Sequence, residues 1–158
     1  MNHQIKHVFI SHVHEDDHAI NNTKNLLQRN NYDIKDASVH SEKPNNANNP
    51  EYIKYNILAP RIQWSGALVV YISQHTKSSD WVNWEVRYAA KLGKRIVGVR
   101  GPGSGDEDLP DGLYEYADAI VGWYAHRIIQ AINGQINNWE TPTGERSAEW
   151  NIARVRCQ

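Results

Sequence analysis

The residues from Ala67 to Ile72, ALVVYI, form an unbroken apolar run of strand length near the middle of the chain. A strand with no polar alternation is covered on both faces, the condition of parallel strands inside α/β proteins. Thr76 to Asp80 is polar and small, and Ser79 or Asp80 can cap a helix by accepting a bond from its free amides. Beyond that turn Trp81, Trp84, Tyr88, Ala89 and Leu92 recur at helical spacing, so a helix gathers them on one face. Glu85 falls on that face too. A carboxylate among aromatic rings costs free energy unless it is paired, solvated in a cleft, or used. Two readings follow. Glu85 is satisfied by Arg61 or Arg87, or it lines a cleft at the carboxyl ends of the strands, where open α/β sheets hold ligands.

The flanking sequence repeats the same alternation. His7 to Ser11 reads as the first strand, and Ala19, Ile20, Thr23, Leu26 and Leu27 give the helix after it. Asp33 to Ala37 is a weaker second strand. Val39 to Pro50, rich in Asn, is a long loop, and Glu51 to Gln63 resumes a helical pattern that Pro60 should bend or end. Gly93 closes the Glu85 helix as a C-cap, and Arg95 to Val99 is another buried strand. After the Gly/Pro/acidic loop from Gly101 to Gly112, Ala119 to Val121 is a short strand and Tyr124 to Ile136 a helix. The order calls for a parallel α/β sheet of about five strands with helices on both faces. Residues 1–137 make this domain. Residues 138–158 show little period and read as a loosely packed tail on, or extending from, the same domain.

Composition excludes several classes. At 158 residues and net charge -1 the chain is one domain with no basic stripe, which argues against nucleic-acid binding. No apolar run is long enough to span a bilayer. The N-terminus reads as the start of the fold, and the single Cys157 suits a reducing compartment, hence the cytoplasm. The run His12 to His18, HVHEDDH, resembles a metal-hydrolase motif but has the wrong spacing and no later ligands; an acidic helix N-terminus explains it, and no metal is expected. The glycines at 101, 103 and 105 are interrupted by Pro102 and followed by three carboxylates, so they make a turn and not a phosphate cradle. Ser11 and His12 lack the surroundings of a hydrolase nucleophile.

A more specific pattern emerges from the strand ends. Val8-Phe9-Ile10-Ser11-His12 with Asp16, Asp36-Ala37-Ser38, the run from Ile62 to Ser73, and Ser79-x-Trp81-Val82-Asn83-Trp84-Glu85 succeed one another in an order that resembles TIR domains. More narrowly, the chain resembles the TIR-like proteins of the Thoeris anti-phage system, over roughly residues 5–125. The resemblance implies a TIR-like, flavodoxin-like sheet. It also implies cleavage of NAD at the nicotinamide-ribose bond, with NAD as substrate and no further cofactor. Trp81 and Glu85 match the family's W-C-x-x-E spacing, with Val82 in the Cys position, so Glu85 is the implied catalytic residue. Phe9, Ser11, His12, Asp36, Ser38, Trp81 and Trp84 are the implied substrate-binding residues. The familiar R-D-x-x-P-G box is not intact; Asp36 is followed by Ala-Ser-Val-His-Ser-Glu-Lys-Pro. The resemblance further implies self-association and a diffusible, ADP-ribose-derived product that activates a separate effector. Two other classes share these features: a non-catalytic TIR adaptor, with the Asn-rich loop from Val39 to Asn49 as assembly surface, and a nucleoside-processing enzyme acting at a glycosidic carbon.

Overall fold

A computed structural model describes residues 4–38 and 49–147. The chain opens with strand β1 (Gln4–Ser11), passes a short 3-10 turn, and continues into helix α1 (Asp17–Gln28) and strand β2 (Tyr32–Asp36). A helical rod follows, in three sections: α2 (Pro50–Tyr52), a π-helical segment (Ile53–Leu58) and α3 (Ala59–Trp64). Then come β3 (Ala67–Ile72), α4 (Asp80–Lys91), β4 (Arg95–Arg100), α5 (Asp111–Tyr116), β5 (Ala119–Val121) and α6 (Ala125–Ile132). All five strands are parallel, in the order β2-β1-β3-β4-β5. The architecture is the parallel α/β sheet expected from the apolar runs, and its strand order is the flavodoxin-like one that the resemblance implied.

Side chains of a strand alternate between faces, and the core divides accordingly. Val8, Ile10, Val69, Tyr71, Val97 and Val99 point to one face, where Ile20 and Leu27 of α1 and Ile128 of α6 cover them. Phe9, Leu68, Val70, Ile72, Ile96 and Ile120 point to the other, against Ile62 of α3, Val82 and Val86 of α4 and Leu113 of α5. Gly98 lies on this second face. A Cβ there would stand 2.9 Å from Leu113 and 3.1 Å from Ile72, so the missing side chain is what lets α5 approach the sheet. Gly93 has φ +73, and the Lys94 amide reaches back to Ala89 O, which closes α4 in the left-handed geometry glycine favours.

Three expectations are corrected. Pro60 does not end its helix. The π-helical segment ahead of it widens the turn in which the proline ring would otherwise meet a carbonyl, and the helix runs on to Trp64. The last helix stops at Ile132, earlier than Ile136, because Gly134 adopts φ +86 and Arg95 draws in the carbonyls of Ala131 and Ile136 at 2.7 and 2.6 Å. Residues 138–147 are not loosely packed. Trp139 is fully buried, bridges to Ile120 at the sheet edge and donates its indole N–H to Ala117 O. Glu140 receives Arg127 through both oxygens, while its carbonyl takes Arg100 Nε at 2.8 Å. The sequence shows no period here because the segment is held by an anchor, an ion pair and backbone hydrogen bonds rather than by a repeating face. The remainder of the tail, and residues 39–48 of the Asn-rich loop, lie outside the described residues.

If Trp139 is part of the core, Trp139→Ala should destabilise the domain by about 3–5 kcal/mol. Chemical denaturation followed by circular dichroism measures it; a change within about 0.5 kcal/mol, as surface positions give, would contradict this packing.

Candidate active site

The sheet order reverses direction between β1 and β3. α1 leaves β1 on one face, and α4 follows β3 on the other, so the two connections diverge at the carboxyl edge, the place where such sheets bind ligands. Ser11 is the last residue of β1 and shares the face of Phe9. Ser79 caps α4 by accepting the Val82 amide at 3.1 Å, which fixes the phase of the helix. In that phase Val82, Glu85, Val86 and Ala89 turn inward. The aromatic stripe of the sequence reading is therefore only partly a buried face: Trp81 and Leu92 are 38 and 39% exposed, and the inward row is aliphatic except for Glu85. Glu85 itself is 7% exposed, and its Oε1 accepts the Ser11 hydroxyl at 2.5 Å.

Neither arginine neutralises this carboxylate. Arg61 donates to Ala37 O at 3.2 Å, and Arg87 pairs with Glu115 at 3.4 Å. Burial pushes the Glu85 pKa up to about 8; the Ser11 hydrogen bond lowers it in part, and the nearby Asp36 carboxylate raises it. Asp36 is held in place by several donors. Its Oδ1 accepts the amides of Ile10 and Ser38, its Oδ2 accepts the Ser38 hydroxyl at 2.8 Å, and Lys24 Nζ stands 3.3 Å away. Asp36 and Ser38 thus lock the end of β2 onto β1 beside the site.

The loop after β1 is equally constrained. The His12 ring is 3% exposed, with Nδ1 at 2.8 Å from Ile10 O and Nε2 at 2.7 Å from Asp17 Oδ1. Asp16 is buried and accepts the Ser73 hydroxyl at 2.6 Å, tying this loop to the one after β3. Phe9, at 1% exposure, lies beneath the site in the core and supports it from below. Of the HVHEDDH run, His12, His14, Asp16 and Asp17 are used in local side-chain bonds, and among the described residues no group of three or more His, Cys, Asp or Glu could hold a metal.

Trp81 and Trp84 stand on the outer flank of α4. Trp84 stacks on Tyr88 with centroids 5.1 Å apart and meets Tyr55 edge-on at 5.9 Å. Lys54 Nζ lies 6.0 Å from the Trp81 ring and 5.8 Å from that of Trp84. The sequence reading missed Lys54, Lys24 and Ser73. Ser73 sits directly after the central strand, a position that could have marked it; nothing local marks Lys24, whose partner is Asp36, or the approach of Lys54 to the indoles of Trp81 and Trp84. A cleft of about 520 Å³ is lined by Ala37, Asn56, Ile57, Pro60, Arg61 and Trp64. Glu85 does not line it. A buried, shifted carboxylate at the sheet's switch point is the stronger mark of chemistry than a broad surface cleft without such a group.

A parallel sheet in this order, with a helix carboxylate turned onto the end of β1, fits a TIR-like α/β domain. The family model described as Thoeris protein ThsB, TIR-like domain, matches residues 9–106. The chain belongs to this family, whose members are components of an antiviral defence system. No curated protein matches the sequence. Among solved structures, the CMP N-glycosidase BcmB of Clostridium botulinum is 11% identical with a TM-score of 0.44, over 97% of this chain and 100% of that one. A conserved protein from Enterococcus faecalis V583 has the same identity and TM-score, over 95% of this chain and 96% of its own. Likeness of that degree says nothing about substrate. No helix of the described residues is long and apolar enough to cross a membrane.

The raised pKa of Glu85 makes a stability prediction. The folded state holds its proton more tightly than the unfolded chain, so stability is fully present below the ordinary value of 4.5 and is lost as pH rises to about 8. Glu85→Gln carries no such proton. Denaturation at stepped pH should show the mutant gaining on wild type between pH 4.5 and 8 and then levelling; a constant difference would mean the carboxylate is not desolvated.

Proposed function

We propose that the domain cleaves NAD at the nicotinamide-ribose bond, with Glu85 as the catalytic carboxylate, and that its ADP-ribose-derived product is the signal that reaches a separate defence effector. The observation that carries the reading is the Ser11-bound, buried Glu85 at the sheet's switch point. Family membership adds the TIR class and the defence context.

The chemistry requires little. Nicotinamide departs as a neutral base from a cationic ring, so no general acid has to protonate it, unlike an ordinary glycoside. What the protein must supply is a hold on the ribose and a charge that favours the oxocarbenium-like transition state. A carboxylate shielded from water does this well, because its field is not screened. The pKa of about 8 fits such use. In the free domain Glu85 retains a proton over much of the neutral range, and the positive pyridinium of an arriving NAD would draw that proton off by favouring the ionised form. Ser11 then keeps the anion aimed. Trp81, at the rim, can cover a planar ring. Water as the nucleophile releases ADP-ribose, and attack by an adenine nitrogen or a ribose hydroxyl closes a cyclic product. Phage infection as the trigger, self-association as a condition of activity, and the cytoplasm as the setting belong to the same proposal.

The test is NAD turnover followed by chromatography and mass spectrometry, in wild type and Glu85→Gln, in extracts of phage-infected cells. The mutant should lose at least about a hundredfold in rate. Equal NAD loss in both, with protection from phage intact in the mutant, would favour an adaptor acting by assembly. A pH profile adds a second check. The value of kcat/KM reports the free enzyme, so it should rise by about tenfold per pH unit toward pH 8 and flatten above it. A flat profile from about pH 5 to 8 would show that Glu85 need not lose a proton.

A further inference from the structure

We infer that Lys54 forms a phosphate subsite next to Glu85, which takes the diphosphate of a dinucleotide; the inference rests on the NAD reading above and specifies how that substrate lies. The rod that contains Lys54 starts at the Asn49 cap and runs back to the beginning of β3, so its first turns stand at the carboxyl edge of the sheet. The first turns of α4 stand at the same edge, and they carry Trp81, Trp84 and Glu85. Lys54 bridges the two elements, with its ammonium 6.0 and 5.8 Å from the centres of the Trp81 and Trp84 indoles.

That placement leaves the charge poorly matched. The Lys54 side chain is 26% exposed, so most of it has left water. Ring faces attract a cation but do not neutralise it. Among the described ion pairs of Lys54 the one carboxylate is Glu51, at 3.8 Å, and that side chain is 71% exposed and screened by solvent. Lys54 also belongs to the π-helical segment, a geometry that recurs at functional sites. A diphosphate suits the position. In a dinucleotide it is joined to the nicotinamide ribose through a single methylene, so a ribose held at Glu85 would carry its phosphates toward the rim, where Trp81 and Lys54 stand. Lysine serves phosphate as a point charge and needs no second donor in fixed geometry.

The experiment is a binding titration followed by tryptophan fluorescence, with Glu85→Gln as background so that no ligand is consumed. ADP-ribose is compared with adenosine and with nicotinamide riboside, which lack the diphosphate. Adding Lys54→Met, which keeps an unbranched stem over the rings, should weaken ADP-ribose about tenfold and leave the phosphate-free ligands unchanged. Lys54→Arg should restore most of the loss. In the active protein the Lys54→Met change should raise KM for NAD about tenfold with kcat nearly constant. Equal weakening of all three ligands would mean that Lys54 only braces the indoles, and unchanged or undetectable ADP-ribose binding would equally overturn the subsite. Lys54-dependent binding of ADP-ribose by a protein that never cleaves NAD would uphold the subsite and overturn the NAD reading alone.

Discussion

A carboxylate kept out of water by a helix that begins at the edge of a sheet persists only if the strand beneath offers it a donor, and Ser11 is that donor for Glu85. The bond depends on two phases agreeing. Alternation along β1 must turn residue 11 to the α4 face, and the Ser79 cap must start α4 so that residue 85 turns inward. Both are fixed before any ligand arrives. The carboxylate is therefore preorganised, and its elevated pKa records the free energy it costs to keep it there.

The surrounding bonds hold the frame that carries this carboxylate. Asp36 clasps the ends of β1 and β2 through Ile10 and Ser38, and Asp16 joins the loops after β1 and β3 through Ser73. On the β4 and β5 side of the sheet, Arg95 and Arg100 of β4 and Arg127 of α6 fasten the chain after α6, and Trp139 completes the core beside α5. The site is thus rigid on its β1, β2 and β3 sides. Lys54 and Trp81 stand on the more exposed flank between the helical rod and α4.

The sheet was legible because parallel strands leave the simplest trace, unbroken apolar runs such as Ala67–Ile72. Glu85 was legible because a carboxylate at helical spacing from Trp81 and Tyr88 breaks a local rule. Its partner was harder to see. The sequence offers Arg61 and Arg87 as plausible ion-pair partners, but a hydroxyl 74 positions away answers the carboxylate instead, and only the register between β1 and α4 brings it there. Leu92 was misplaced for a related reason. Periodicity names a face without saying which neighbour covers it, and the sheet covers Val82, Val86 and Ala89. The segment after α6 was illegible because one buried indole, one ion pair and arginine bonds to backbone carbonyls hold it, and none of these repeats along the chain.

The most direct test of the central claim is a crystal structure of Glu85→Gln soaked with NAD. The account predicts the nicotinamide ribose at the carboxyl edge between β1 and β3, with its hydroxyls within hydrogen-bond reach of the substituted amide at position 85 and its anomeric carbon facing that side chain. NAD bound elsewhere, with that amide still covered and bonded only to Ser11, would contradict it and leave Glu85 a structural residue.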